Sequence, residues 1–143
     1  MKEEITLKLH QFPVRSVVDD EEGRDKNLRY LSRSIESASE NELLIFPELT
    51  LSGYIMEFDP DFRAIFWERG ADSYPDGESF RVISELVKKS GCYVVFGFCE
   101  SSGIKYECYD SVALLGPKGI IVPIWVSMPS DFIDRIYSLK ERR

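Results

Sequence analysis

Two periodicities run through this chain: short apolar runs or alternations that suit strands, and stretches with an apolar residue at every third or fourth position that suit helices. Ile5 to Phe12 alternates, with Ile5, Leu7 and Leu9 set against Thr6, Lys8 and His10, which predicts a strand whose apolar side faces the core. An acidic loop, Asp19 to Glu22 with Gly23, follows. Leu28, Leu31, Ile35 and Ala38 then predict a helix from Arg24 to about Ser39. Leu43-Leu44-Ile45-Phe46 is continuously apolar, the pattern of a strand buried on both faces, and Pro47 ends it by removing a ladder donor.

Asp59 to Gly70 carries Phe62, Ile65 and Phe66 at helical spacing and predicts a short helix, and Asp72 to Gly77, with Pro75 and Gly77, reads as a connector. Glu78 to Ser90 is the strongest helix: Phe80, Ile83, Leu86 and Val87 form one stripe, Lys88 and Lys89 suit the last turn, and Gly91 ends it. Cys92 to Phe98 is an apolar strand. Gly103 marks a turn before a strand from Lys105 to Leu115, and Gly116-Pro117-Lys118-Gly119 turns into a last strand, Gly119 to Val126, where Pro123 points to an edge or a bulge. The order β-α-β-α-α-β-β-β predicts an α/β fold, a mixed β-sheet with helices on one face, in a single domain over residues 1–143.

Composition narrows the function classes. With 43% hydrophobic and 30% charged residues the chain should fold as a globule, and a net charge of -7 without a basic stripe argues against a nucleic-acid partner. The basic cluster Lys140, Arg142 and Arg143 reads as a solvated tail. Cys92, Cys99 and Cys108 are odd in number and lack the C-x-x-C spacing of zinc or redox sites, so the expectation is reduced thiols, a cytoplasmic location, no metal and no cofactor. The apolar stretch Gly119 to Met128 is too short to span a membrane. His10 is the single histidine, which leaves little for a His-based triad.

Glu48 draws attention because it stands at the carboxyl end of a buried strand, where ligands and catalytic groups gather in open α/β sheets, although a solvated loop carboxylate is the commoner occupant of such a position. The surrounding segment, "LLIFPELTLSGY" (Leu43 to Tyr54), resembles the first catalytic segment of the carbon-nitrogen hydrolases, the nitrilase and aliphatic-amidase family. Further pieces fall in that family's order: "HQFP" after the first strand, Asn27-Leu28 opening the first helix, "VVFGFCE", and "YDSVALLGPKG", which is similar to the family's Tyr-Asn-Ser hairpin with Asp110 in place of Asn. The resemblance runs from about Ile5 to Ile121.

That resemblance implies half of a nitrilase-type α-β-β-α sandwich and hydrolysis of small-molecule amides or nitriles by a Glu-Lys-Cys set. In such a set Cys attacks the carbon, Glu takes and returns the proton, and Lys stabilises the charge that develops. By match of motif Glu48 falls on the general base, and Tyr54 with the loop Ile55 to Asp61 on a pocket wall. A thiol needs a base near neutral pH, and burial at a strand end would raise the Glu48 pKa toward the working range. No lysine matches the family's: "VPIWVSMPSDF" occupies its place, and Lys140 in "SLKERR" comes much later. Cys108-Tyr109-Asp110 spells the Cys-aromatic-Asp of the nucleophile segment, but the residues after it continue the hairpin, so Cys108 is a candidate nucleophile against the register. Cys92 and Cys99 read as core thiols.

Three readings follow: an incomplete family member with a divergent tail at 122–143 and no competent site; a non-enzymatic interaction module; and an active hydrolase that uses Cys108. If helices cover one sheet face only, the other should be apolar and bare. A homodimer through that face is then expected, unless the tail, through Trp125, Phe132, Ile133 and Ile136, folds back over it.

Overall fold

In a computed structural model, the structure describes residues 4–54 and 60–125. The predicted element order is observed: β1 (Thr6–Leu9), α1 (Gly23–Glu36), β2 (Glu42–Ile45), α2 (Pro60–Gly70), α3 (Glu78–Ser90), β3 (Tyr93–Ser101), β4 (Cys108–Gly116) and β5 (Gly119–Trp125). They build one five-stranded sheet in the order β1-β2-β3-β4-β5. The first two pairings are parallel, joined by crossovers through α1 and through α2–α3, and the last two are antiparallel hairpins. The fold is therefore α/β with a mixed sheet. Pro123 lies in β5, an edge strand, and pairs in register with Ala113, so its edge expectation holds; the β4–β5 register shift falls between Leu114 and Leu115, opposite Ile121 and not at the proline.

One face of the sheet carries the core. Leu31 and Ile35 of α1 and Phe80, Ile83 and Val87 of α3 pack, fully buried, on Leu44, Val94, Phe96, Ala113 and Leu115. Phe80 meets Phe98 edge-on at 4.8 Å between ring centroids and lies 5.5 Å from Phe96, which locks α3 onto β3. Gly91 closes α3 in the left-handed conformation, φ 78°, with its N–H on the Val87 carbonyl, as its position after Lys88-Lys89 predicts. The helix α2 departs from the one-face arrangement. Its Phe66 packs on Val17 and Cys99, and Trp67 Nε1 donates to the Glu107 carbonyl at 3.1 Å, so it seats at the far end of the β3–β4 hairpin.

Arg24 of α1 ties that helix to α2 and α3. It donates to Asp72 Oδ2 at 2.7 Å, to Ser79 Oγ at 2.9 Å and to the carbonyls of Arg69 and Ala71. Asp72 is buried, and its backbone also bonds to Cys99 and Ser101, which gives the connector a place beside β3.

The first strand corrects an expectation. Ile5, Leu7 and Leu9 are not turned to the core but stand 58%, 62% and 78% exposed. The parallel register puts Leu7 beside Leu43 and Leu9 beside Ile45, on the side opposite Leu44, and α1 and α3 cover the Leu44 side. Alternation shows that a strand has two unlike faces; which one receives cover is decided by the helices. Leu43, Ile45, Tyr93, Val95, Val112 and Leu114 lie on that second face by the same alternation, and each keeps partial exposure. The loop 55–59 and the tail residues 126–143, including Phe132, Ile133 and Ile136, lie outside the described residues.

Candidate functional site

Glu48 stands just past the end of β2, on a turn that is hydrogen-bonded to β3 beyond the strand itself. Phe46 N donates to the Val95 carbonyl, Gly97 N to the Pro47 carbonyl and Thr50 N to the Gly97 carbonyl, and the Thr50 hydroxyl closes the turn onto the Pro47 carbonyl. Gly97 makes this contact possible: a Cβ there would come within 2.8 Å of Glu48 Cα and 2.9 Å of Leu49 N. Leu49 takes φ 46°, a conformation a branched residue adopts only when its surroundings impose it. The main chain under Glu48 is thus held from both sides.

Asn27 anchors the rest of the loop. It is buried in α1, accepts from Arg15 N at 2.9 Å, and donates to the carbonyls of Arg15 at 2.8 Å and Leu51 at 3.1 Å. Gly53, at φ 68°, presses against Arg15, where a Cβ would lie 2.6 Å from the carbonyl oxygen. Two loops, after β1 and after β2, are thereby fastened to each other beside the site. The Asn27-Leu28 motif marked this position in the sequence, but its role as a clamp was not legible there.

Among the described residues two donors reach the Glu48 carboxylate. Tyr54 Oη donates to Glu48 Oε2 at 2.7 Å, and Asp110, reaching across from β4, shares a carboxyl–carboxyl hydrogen bond with it. Tyr54 is therefore more than a pocket wall. It also lines an open depression of about 540 Å³ with Val14, Arg15, Ser16, Asp19 and Asp20, which lies beside Glu48 rather than around it.

The expectation that burial raises the Glu48 pKa is overturned. Glu48 is exposed, and the hydrogen bonds from Asp110 first and Tyr54 second hold its carboxyl below the ordinary carboxylate value. No Lys or Arg lies within ten residues of Glu48 along the chain; the stabilising donors are neutral, and one of them comes from a strand about sixty residues away in the chain. The raised carboxyl belongs to Asp110, pushed up to about 7 by burial first and then by its bond to Glu48 and the Glu48 charge. Burial and Glu48 together lift Tyr54 to about 12, so its phenol keeps its proton and remains a donor.

Cys108 lies on the same side of β4 as Asp110, two residues before it, yet its sulfur is partnered by the Cys99 thiol. That bond lowers the Cys108 pKa and, with burial, raises that of Cys99. Cys99 and Cys92 are buried, and burial raises the Cys92 thiol also. Among the described residues no group of three or more His, Cys, Asp or Glu is placed to hold a metal ion, and no helix is long and apolar enough to cross a membrane.

Known proteins share both the sequence pattern and the fold. A nitrilase of Pyrococcus abyssi is 30% identical over 99 residues, which cover 68% of this chain and 35% of the nitrilase. A protein N-terminal amidase of Schizosaccharomyces pombe is 27% identical over 108 residues, 71% of this chain and 36% of that protein. The chain thus spans about a third of the length of these curated relatives. A carbon-nitrogen hydrolase structure from Helicobacter pylori G27 superposes with a TM-score of 0.62 at 17% identity, over 93% of this chain and 43% of that one, which shows a common fold. The family profile described as Carbon-nitrogen hydrolase matches residues 10–131, most of the chain and all the segments that build the Glu48 turn; the chain belongs to the carbon-nitrogen hydrolase family.

Proposed function

We propose that this chain presents the general base of an amide- or nitrile-cleaving site, Glu48, and that the 143-residue polypeptide alone does not complete that site. The observation that carries the reading is the Glu48 turn: a carboxylate at a strand end, fixed on Gly97 and hydrogen-bonded by Tyr54, in a member of this family. A base held in that way can take a proton from a thiol and return it to a leaving amine. The lysine and the nucleophile are unmatched. No Lys occurs between Lys118 and Lys140, and the Cys108 thiol is hydrogen-bonded with the Cys99 thiol, not with Glu48. A second polypeptide, or residues beyond these 143, would supply both.

Intact-mass spectrometry after incubation with simple amides and nitriles tests this. An unmodified chain is expected, and a covalent adduct on Cys108 that Glu48→Gln prevents would overturn it in favour of Cys108 as the nucleophile.

A second reading rests on the exposed side of β1. Ile5, Leu7 and Leu9, continued by Leu43 and Ile45, form an apolar stripe that a second copy of this chain would cover by a twofold contact, making a homodimer. Sedimentation equilibrium is expected to show a dimer at micromolar concentration that Leu7→Lys with Leu9→Lys converts to monomer; a wild-type monomer would reject it.

A further inference from the structure

Asp110 is the residue that departs from the family's hairpin motif, and the structure places it against the candidate base. It lies directly across from Cys99 in the β3–β4 ladder, on the sheet side that Gly97 shares, and Gly97 is the residue on which the Glu48 turn rests. One of its oxygens, Oδ1, is buried and has no donor among the described residues. Two ionised carboxylates in such a place cost more than a pair that shares one proton, because an unpaired buried charge is costly and like charges in contact repel, so the second ionisation is pushed to higher pH.

We propose that Glu48 and Asp110 act as one unit that holds a single proton, carried on Asp110 and donated to Glu48, so that Asp110 is the positioning residue of the candidate base. The proposal rests on the reading of Glu48 as base for its functional meaning, though not for its geometry. Tyr54 fixes Oε2 of Glu48, and the Asp110 hydroxyl provides the second donor. Among the described residues the other titratable groups about the pair are Cys99 on β3 and Cys108 on β4, with Glu107 and Arg63 acting on the Cys108 sulfur and Arg24 on that of Cys99. None of these thiols supplies the missing proton, because each sulfur is already engaged with the other.

The arrangement has a chemical consequence. With one proton the pair carries one negative charge, on Glu48; when Glu48 accepts a proton from a nucleophile the pair becomes neutral, and it returns to one charge when that proton passes to a leaving group. An amide at position 110 would donate at every pH. A carboxylic acid donates only while it keeps its proton, so above neutral pH the pair becomes doubly charged, Glu48 loses a donor and its basicity rises. Asp110 therefore makes the charge state of the candidate base sensitive to pH in the neutral range, where an Asn would not.

Carbon-13 NMR of the side-chain carboxyls, followed by pH titration of the 143-residue chain, tests this without any substrate. In the wild type the Asp110 carboxyl is expected to inflect near pH 7, with the Glu48 carboxyl reporting the same step. In Glu48→Gln the Asp110 inflection should move to lower pH by about one unit or more, a tenfold or greater change in its acidity. In Asp110→Asn the near-neutral step should vanish. Independent, ordinary titrations of the two carboxyls in the wild type would overturn the proposal, as would a near-neutral step that belongs to Glu48 and survives in Asp110→Asn. The wild-type curve decides by itself should a variant fail to fold. Failure of the shared proton would leave Glu48 available as a base, and failure of the hydrolase reading would leave the titration unchanged, so the two can be told apart.

Discussion

Replacing Asp110 by Asn should stabilise the protein in a pH-dependent way. The folded-state pKa of Asp110 lies above its ordinary value, so the folded chain holds more protons at this site than the unfolded chain between about pH 4 and pH 7. Stability from this group is fully present below about pH 4, falls as pH rises through about 7, and is flat beyond that. A rise from 3.8 to about 7, at about 1.4 kcal/mol per pH unit, sets a ceiling of roughly 4 kcal/mol. Asp110 is only half-buried and Glu48 is exposed, and the Glu48 shift runs the other way, so solvent screening brings the net effect to about 1–2 kcal/mol. Asn keeps a donor toward Glu48 and carries no charge to lose. About two thirds of that effect lies above pH 5, so thermal unfolding followed by circular dichroism at pH 5 and pH 8 should show the variant gaining roughly 2–5 °C more over wild type at pH 8 than at pH 5. A gain equal at the two pH values, or one that shrinks as pH rises, would refute the reasoning.

Other perturbations address the scaffold under the site. Gly97→Ala drives a Cβ into the Glu48 backbone and should cost about 1–3 kcal/mol in urea unfolding, with the near-neutral Asp110 inflection displaced. Asn27→Ala removes three hydrogen bonds and strands the Arg15 amide and two carbonyls, for a loss of about 2–4 kcal/mol in the same assay. Asp72→Ala leaves Arg24 without its carboxylate in a largely buried place and should lose about 3–5 kcal/mol, most of which Asp72→Asn, a neutral acceptor, should fail to recover.

Much of this architecture could be read from the sequence because each signal was local. The stripes Leu31–Ile35 and Phe80–Ile83–Val87 name the helix faces that are buried, Gly91 names the end of α3, and Leu43 to Phe46 followed by Pro47 names the strand that delivers Glu48. Boundaries slipped where chain geometry outweighed pattern: the strand predicted from Lys105 begins at Cys108, because Gly103 and Tyr106 take positive φ and extend the turn. What could not be read was non-local. The exposed side of Ile5, Leu7 and Leu9 depends on where α1 and α3 pack, and the charge state of Glu48 depends on Asp110, which folding brings to it from another strand. A sequence shows that position 110 holds Asp; that this carboxyl lies beside Glu48 appears only in three dimensions.

The central claim is that Glu48 is a positioned base within a chain that does not complete its own catalytic set. Ammonia release from a panel of amides and nitriles by the purified 143-residue chain, beside Glu48→Gln and Cys108→Ala, tests it most directly. The account predicts rates indistinguishable from a protein-free blank for all three proteins, whereas turnover by the wild type that both substitutions abolish would contradict it.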